Sequence, residues 1–452
     1  MSWTQTNSDN DEFSGMYKRY NNIGGKMTEV KYEGRNQAYY SFGLGQSKGL
    51  SKSIETYLTY NWKTDFNTLT FMVGNTVSKY EGSWVSASAY DFLSPNNRLI
   101  SLTTNAKSIQ GNGGFNAQVR TISYYGRLVY NLFDRYILTA TLRRDGSSNF
   151  SSGNRWGTFP SVALAWRAKE ETFLKNVKEI SNAKVRFGWG QTGNAGGIAG
   201  RSVYALSSAH TKYNFYALGA GGGTTGQLTQ ETGFYAPLVD TNLKWETNYN
   251  LNLGLDFALF DRVNVTLEYY LRNTKNLLMD SPVSMTTGFN SYLMNVGQLR
   301  NQGVELEINS TNIKNKNFEW KTTFNLSHNT NKVVNLDGDQ TEIISGTQIH
   351  KIGHSYRTFY MIEFAGINPE NGNPQFYTND LLEDGTYSKE ITEDATKAKS
   401  IMLDKHAEPN ITGGLYNSFR YKWFDLSFLF NYQFGGYSYD TWAQKTEHGG
   451  YD

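Results

Sequence analysis

A strict alternation of apolar and polar residues, repeated along most of the chain, constrains the fold more than any other feature. Between residues 250 and 257 the apolar positions are Leu251, Leu253, Leu255 and Phe257, each separated by a polar residue or glycine. Because successive side chains of a β-strand point to opposite faces, this period of two predicts strands with one apolar face. The same pattern recurs at residues 136–143, 263–272, 304–309, 320–327 and 424–434.

We count about fourteen such segments, most of them about nine to eleven residues long, whereas strands of soluble proteins average ~5–6 residues. No long segment has the 3.6-residue period of a helix, and the best helical candidate is a short stretch at residues 169–180. The sequence therefore predicts an all-β, antiparallel protein.

Composition excludes several classes of protein. Of the 452 residues 19% are charged and the formal net charge is +2, which gives no sign of the basic surface of a nucleic-acid-binding protein. The absence of cysteine excludes a disulfide scaffold and a thiolate metal site. No apolar run reaches the ~18 residues of a transmembrane helix. Residues 1–5 do not resemble a signal peptide, so we expect any targeting segment to lie outside this sequence.

The connections between the alternating segments are of two kinds. Short turns are expected at residues 63–67, 131–135, 258–262 and 312–317, and long polar stretches at residues 76–118, 191–244, 273–297 and 330–355. Outer-membrane β-barrels pair short periplasmic turns with long extracellular loops. This asymmetry, the long strands and the tryptophans near strand ends (Trp62, Trp166, Trp189, Trp245, Trp320 and Trp423) favour a transmembrane barrel.

Charged residues lie only on the polar faces of the segments quoted above. A basic side chain facing the middle of a bilayer costs ~2–4 kcal/mol, so charge-free apolar faces agree with contact to lipid. They agree equally with the core between two stacked sheets of a β-sandwich. If the apolar faces contact lipid, the polar faces enclose the lumen, and the candidate lumen-facing residues are Arg127, Arg143, Asp256, Glu268, Glu305, Glu307 and Lys321.

Several longer motifs occur in a defined order. They are YILTATLRRDGSSNF at 136–150, NRWGTFPSVALAW at 154–166, FGWGQTGN at 187–194, NVGQLRNQGVELEI at 295–308 and FDLSFLFNYQFGG at 424–436. A further segment, LKWETNYNLNLGLDFALFDRVNVTLEYYLRNTKNLL, occupies 243–278. In this order and spacing the motifs resemble the barrel of SusC/RagA-type TonB-dependent outer-membrane transporters, from about residue 120 to residue 436.

The resemblance implies a barrel of about 22 strands in the outer membrane of a Gram-negative bacterium, of which this sequence supplies roughly fourteen. It implies active import of oligosaccharides or peptides, with a SusD-like surface lipoprotein, TonB and outer-membrane lipid as partners and neither a cofactor nor enzymatic activity. We predict that residues 1–452 form one partial barrel domain of this family, and we expect the plug domain and the last strands to be missing from this sequence.

Other motifs have simpler interpretations than a chemical site. Two G-x-G-x-x-G matches, at Gly188/Gly190/Gly193 and Gly221/Gly223/Gly226, lack the following helix of a dinucleotide site. His350 and His354 have the spacing of a helical metal pair but lie in a loop-rich region without the H-E-x-x-H glutamate, so we expect a surface or loop role.

Acidic and aromatic loops are equally ambiguous. The acidic turns at residues 337–339 and 383–385, and the interval 379–409, lack the regular spacing of a calcium loop. The tyrosine-rich stretch at 204–216 is typical of either ligand contact or packing. Glu305 and Glu307, two residues apart, are expected on one strand face, as a polar barrel wall or a glycosidase carboxylate pair.

Two other functions remain open from the sequence. One is a secreted β-sandwich, either a carbohydrate-binding protein or a glycoside hydrolase. The other is a passive porin-like or adhesin barrel. Burial of the apolar rows between two sheets would favour the sandwich.

Overall fold

The computed structural model describes residues 2–14, 20–23, 26–29, 40–92, 99–103, 106, 109–196, 212–218, 228–234, 240, 242–282, 291–336 and 340–440. Strands dominate these residues. The helical elements are the 3-10 turns Ile100–Leu102 and Ala168–Glu170 and the single-turn helix α1 (Thr172–Lys175). The last two lie where the sequence favours a short helical stretch, and the predicted all-β class is confirmed.

The strands of the first half of the chain are β1 (Ser2–Ser14), β2 (Tyr20–Ile23), β3 (Lys26–Glu29), β4 (Tyr40–Lys63), β5 (Asn67–Phe92), β6 (Gln110–Leu132), β7 (Tyr136–Ser147), β8 (Trp156–Trp166), β9 (Ile180–Asn194), β10 (Lys212–Leu218) and β11 (Leu228–Phe234). Those of the second half are β12 (Glu246–Leu259), β13 (Val263–Lys275), β14 (Leu278–Pro282), β15 (Ser291–Asn295), β16 (Gln298–Lys314), β17 (Phe318–Asn335), β18 (Glu342–Ser345), β19 (Gln348–Lys351), β20 (Thr358–Met361), β21 (Phe364–Ile367), β22 (Pro374–Tyr377), β23 (Ile391–Thr392), β24 (Ile401–His406), β25 (Ile411–Tyr421) and β26 (Phe424–Phe434).

Thirteen of these strands form one antiparallel sheet in the order β1-β4-β5-β6-β7-β8-β9-β12-β13-β16-β17-β25-β26. Every neighbour in this order is the next long strand along the chain, as in a meander. Within the described residues β1 and β26 are the two edges, so the sheet is an open part of a barrel wall. The count is close to the fourteen segments expected from the alternation.

Short turns lie at one end of the sheet, which we call the short-turn end. They join β4 to β5, β6 to β7, β12 to β13, β16 to β17 and β25 to β26. Phe133, Phe260 and Lys422 in these turns have positive φ, near the value that tight two- and three-residue hairpins need. The predicted short turns are therefore confirmed. No helix among the described residues is long and apolar enough to cross a membrane.

The opposite end of the sheet, the long-loop end, differs in detail from the sequence prediction. Strands enter every stretch that was expected to be loop: β5 continues to Phe92, β6 starts at Gln110, and β17 continues to Asn335. The hairpins β10–β11, β14–β15 and β18–β19 occupy other parts of these stretches. The physical reason is that pairing between strands rests on backbone hydrogen bonds, so a strand can continue through residues that lack apolar alternation.

The register aligns the apolar residues of neighbouring strands into continuous rows on one face of the sheet, the apolar face. Leu253, for example, lies opposite Phe187 of β9 and Tyr269 of β13, and Tyr269 lies opposite Val304 of β16. These side chains are exposed, with fractions of 45% for Leu253 and 36% for Phe187. A second sheet packed against this face would bury them, so the rows are not a sandwich core.

The clusters of buried apolar residues lie at the long-loop end instead. One consists of Phe150, Leu243 and Leu293, with Trp245 packed against it. A second consists of Val296, Val333, Leu336 and Ile343. These clusters hold the bases of the long connections on the ends of the strands and leave the apolar face free.

Candidate functional site

The polar face of the sheet carries a network of charged side chains centred on Arg186 of β9. Its guanidinium donates through Nε to Asp256 Oδ2 at 2.9 Å and through Nη2 to Asp256 Oδ1 at 3.0 Å. The same guanidinium lies 3.4 Å from Glu268 Oε2 on β13. One arginine thus links three neighbouring strands through a bidentate pair, the strongest geometry for an arginine–carboxylate contact.

Glycine at position 254 makes this arrangement possible. Gly254 lies opposite Arg186 in β9 and opposite Glu268 in β13. A Cβ at this position would lie 2.7 Å from Arg186 Cζ, closer than side-chain carbons approach one another. The missing side chain therefore provides the space in which the guanidinium reaches both carboxylates.

The negative charge of the network exceeds what Arg186 neutralises. Glu268 lies directly opposite Glu305 of β16, and like charges at opposing positions destabilise a sheet unless a cation or polar groups compensate. Lys184 Nζ lies 3.9 Å from Asp256, and Ser327 donates to Glu305 at 3.5 Å. Both contacts are long. The first neutralises little of the charge on Asp256, and the second leaves Glu305 most of its capacity to accept hydrogen bonds.

Beside the two glutamates lies an open cavity of about 430 Å³. Its lining combines carboxylates, one guanidinium, one phenol and several amides: Asn250, Asn252, Glu268, Tyr270, Arg272, Asn301, Glu305 and Asn329. Tyr270 donates to Asn329 Oδ1 at 2.9 Å, and Arg272 donates to Asn250 Oδ1 at 2.8 Å. The cavity therefore presents both donors and acceptors, as a surface that binds hydroxyl or amide groups requires.

The seven residues predicted to face the lumen all lie on the polar face, but the structure does not bring them into one site. Asp256, Glu268 and Glu305 belong to the network around Arg186, and Glu307 lies two residues further along β16. Arg143 pairs with Asp145 at 2.7 Å and donates to Ser123 at 2.9 Å. The remaining two are separate: Lys321 pairs with Glu319 at 3.0 Å, and Arg127 lies between Met72 and Thr141 in the register.

Arg186 and Lys184 were missed by the sequence prediction. Both lie on the polar face of β9, where Gly188 and Gly190 continue the same side of the strand. The signal in the sequence was the alternation of Val185, Phe187 and Trp189 with these residues. The partner Asp256 lies 70 residues away, so no local spacing identified the pair.

Where the structure describes them, the remaining motifs do not assemble a chemical site. Gly188, Gly190 and Gly193 lie within β9 and no helix follows them, whereas residues 221–226 lie outside the described residues. His350 corrects the expected surface or loop role: it is 5% exposed, lies in β19 and stacks on Tyr356 with ring centroids 4.2 Å apart. His354 is exposed in the following turn.

The described parts of the acidic and aromatic loops contain no group of metal ligands. Asp384 accepts hydrogen bonds from Thr386 N and Thr386 Oγ1, and hydrogen bonding to the hydroxyl lowers the pKa of its carboxyl. Residues 337–339 and most of 204–216 lie outside the described part of the chain. Within the described residues no three His, Asp or Glu side chains are grouped so that they could hold a metal ion.

Comparison with known proteins agrees with this geometry. Residues 1–451 match the family model described as "TonB dependent receptor-like, beta-barrel". TonB-dependent receptor P3 of Formosa agariphila is 35% identical over 401 residues, which are 84% of this chain and 38% of that protein. TonB-dependent receptor SusC of Bacteroides thetaiotaomicron is 34% identical over 336 residues, 70% of this chain and 31% of that protein.

Among solved structures, the RagAB peptide transporter superimposes with a TM-score of 0.74 at 24% identity, over 96% of this chain and 45% of that chain. At this identity the likeness shows the fold alone. The chain spans less than half the length of each of these relatives.

Proposed function

This chain belongs to the TonB-dependent receptor-like β-barrel family, and from that premise we propose that it forms part of the wall of an outer-membrane importer for oligosaccharides or peptides. The family consists of transporters and receptors, so we assign the chain to transport and not to catalysis. The proposed partners of the whole protein are a SusD-like surface lipoprotein and TonB. The short-turn end would face the periplasm and the long-loop end the cell exterior.

One observation carries the proposal: a single thirteen-stranded sheet has large apolar side chains exposed on one face and an ion network on the other. Exposed apolar surface on this scale is rare in monomeric soluble proteins and marks contact with lipid or a partner. A polar opposite face supports a water-filled or plugged lumen. A β-sandwich of carbohydrate-binding or hydrolase type would need the apolar face covered.

The polar lining supports a bulky, hydrogen-bonding substrate. Amides, carboxylates, a phenol and a guanidinium alternate along β12, β13 and β16, a mixture that suits sugar hydroxyls and peptide amides equally. The name of the RagAB relative specifies peptides for that protein, and the SusC relative bears no substrate in its name. The substrate class proposed here accordingly includes both.

The proposal is tested by uptake measurements in the bacterium that encodes the protein. A deletion strain should lose uptake of one labelled class, an oligosaccharide mixture or a peptide mixture, and regain it on complementation with the whole protein. A TonB-deficient strain should show the same loss, since active import requires the inner-membrane energy source.

The outcomes discriminate between the candidate functions. Uptake that persists without TonB would indicate a porin. Recovery of the protein in the aqueous fraction without detergent, instead of in the outer membrane, would indicate a secreted sandwich.

A further inference from the structure

Most cations on the apolar face lie near the long-loop end; Arg144 of β7 lies lower, eight residues from the start of its strand, with its guanidinium 5.3 Å from the ring centre of Trp156. Lys52, Lys79 and Arg120 lie directly opposite one another on β4, β5 and β6. Further round the sheet, Arg300 of β16 lies opposite Lys332 of β17, and Lys275 lies on the same face of β13. We call these six residues the cationic rim.

The side of the sheet that the rim occupies follows from the register. In β4 the positions on the same face as Lys52, from 54 to 62, are Ile54, Thr56, Leu58, Tyr60 and Trp62, of which the four apolar or aromatic residues are exposed. From the rim down to the short turns, the apolar face of these six strands contains no charged residue. In these six strands the rim therefore marks the upper limit of the charge-free part of the apolar face.

The height of the rim agrees with the boundary of a bilayer. The six residues lie about 11 to 14 residues from the short-turn ends of their strands. With a rise of ~3.3 Å per residue and a tilt of ~40°, about twelve residues rise by ~30 Å, and the lipid-facing band of such barrels is ~25 Å tall. The cations are thus at the level of lipid headgroups, on the side of the long loops.

Cations in direct opposition repel one another, and on β4, β5 and β6 the carboxylate of Glu81 attracts all three of them. Glu81 pairs with Lys79 at 2.6 Å, while Arg120 donates to the neutral Gln118 at 3.2 Å. Arg300 donates to neutral Asn273 at 2.8 Å, and Lys275 lies 5.0 Å from the ring of Tyr249. Like charges directly opposite in a sheet are destabilising, so both groups of cations would be stabilised by an external anion.

We infer that the cationic rim binds the phosphate groups of anionic glycolipid in the outer leaflet of the membrane. Phosphate is the anion that lies at headgroup level, and each basic residue near an anionic lipid surface strengthens binding severalfold. Acyl chains attached to the same lipid would cover the apolar rows below the rim. This inference rests on the proposed membrane placement of the sheet.

The test uses the whole protein extracted from outer membranes in mild detergent, with native mass spectrometry of lipid binding. The probes are bisphosphorylated lipid A, the same lipid without its phosphates, and inorganic phosphate. The rim variants are K52Q/K79Q/R120Q and K275Q/R300Q/K332Q. The matched control, K175Q/K178Q/K422Q, removes three exposed cations from the short-turn end.

The wild-type protein and the control should bind the bisphosphorylated lipid at least about tenfold more tightly than the dephosphorylated lipid. Each rim variant should lose most of this preference, and inorganic phosphate should not displace the lipid. Equal binding of the two lipids by the wild type, an equal loss in the control, or displacement by inorganic phosphate would each overturn the inference.

Folding and membrane placement are measured separately. Each variant is scored for recovery in the outer membrane and for a heat-modifiable band on gels. Because substitution removes opposed like charges, the rim variants should keep both properties. A wild-type protein that fails to enter the membrane would contradict the proposed function, whereas normal insertion without lipid preference would contradict the rim alone.

Discussion

At the scale of single residues, we predict that replacing Arg186 destabilises the polar face of the sheet. Replacement by methionine keeps the length of the side chain but leaves Asp256 with only the distant Lys184, and Glu268 without Arg186 and opposite Glu305. The pair is partly exposed, so solvent screening limits the effect, and we expect a loss of about 1–2 kcal/mol in the free energy of unfolding. The measurement is urea unfolding in detergent followed by gel mobility.

Arg420→Met is the matched control for this prediction. Arg420 also contacts a carboxylate, Asp425, at 2.7 Å, but both side chains are more than half exposed and lie at the edge of the sheet. An exposed pair of this kind contributes little, so the control should unfold at nearly the same urea concentration as the wild type. Equal effects of the two substitutions would show that the network on β9, β12 and β13 contributes no more to stability than an exposed ion pair.

His350 gives the long-loop end a dependence on pH. Burial lowers the pKa of its imidazole below the ordinary value of 6.5, and Arg357 adds to this effect. Nδ1 contacts the carbonyl oxygen of Tyr356, and the ring stacks on the Tyr356 ring. The unfolded segment therefore takes up the proton more readily, so the stability of β18–β20 should fall as the pH drops below 6.5.

Limited proteolysis between about pH 7.5 and about pH 5.5 tests this dependence. Residues 340–361 should become more susceptible to cleavage at the lower pH in the wild type. His350→Gln should flatten the response, whereas His354→Gln, which alters an exposed side chain, should preserve it. A response unchanged by His350→Gln would assign the pH dependence to another group.

At the scale of elements, the small sheet β21–β22–β23 is fastened by one carboxylate. Glu393 accepts hydrogen bonds from Nδ2 of Asn368, Asn371 at 3.1 Å and Asn373 at 2.9 Å. The oxygens of Asn368 and Asn371 accept backbone N–H groups of the same turn, which fixes the orientation of these two amides. The turn between β21 and β22 is thereby tied to the end of β23.

Glu393→Gln should loosen this element, because it places an amide N–H₂ where three other amides already donate. We expect faster protease cleavage within residues 364–392, with Glu390→Gln as control because Glu390 bonds its neighbours through its backbone: its carbonyl accepts from Thr378 N–H and its N–H donates to Ser388 Oγ. The three amides lower the pKa of Glu393, so this contribution should be lost as the pH falls below 4.5. Chelators should have no effect on the wild type, and protection by calcium would contradict this interpretation.

The strands were predictable wherever the two faces of the sheet meet different surroundings. The segment at residues 250–257 lies within β12, and the turns at 131–135 and 258–262 are where expected. In the upper half of β5, residues 83–89 read SWVSASA: Trp84 and Val85 are adjacent and the other residues are serine and alanine, so no apolar–polar alternation is present. Pairing with β4 and β6 keeps this stretch extended, and that pairing is not visible from one segment alone.

The candidate site was less predictable than the fold for a related reason. Alternation assigned Asp256, Glu268 and Glu305 to one face, but a list of faces does not state which side chains are neighbours. The register supplies that information, and it depends on turns and bulges in several strands. The burial of His350 likewise follows from the packing of the long connections, for which the sequence has no periodic signal.

At the scale of the whole molecule, the placement of the sheet in a membrane predicts an asymmetry between two adjacent residues. Leu253 and Asn252 lie side by side near the middle of β12, both exposed, one on each face. An arginine on the lipid face near the bilayer midplane costs ~2–4 kcal/mol, while the polar face tolerates charge. Leu253→Arg should therefore lower the yield of heat-modifiable protein in the outer membrane severalfold, and Asn252→Arg should leave it nearly unchanged.

Because both substitutions add the same charge to the same strand, a difference in this direction reports which face contacts hydrocarbon. Equal tolerance of the two arginines would remove the physical basis of the transport proposal, and the reverse order would place the lumen on the opposite side of the sheet.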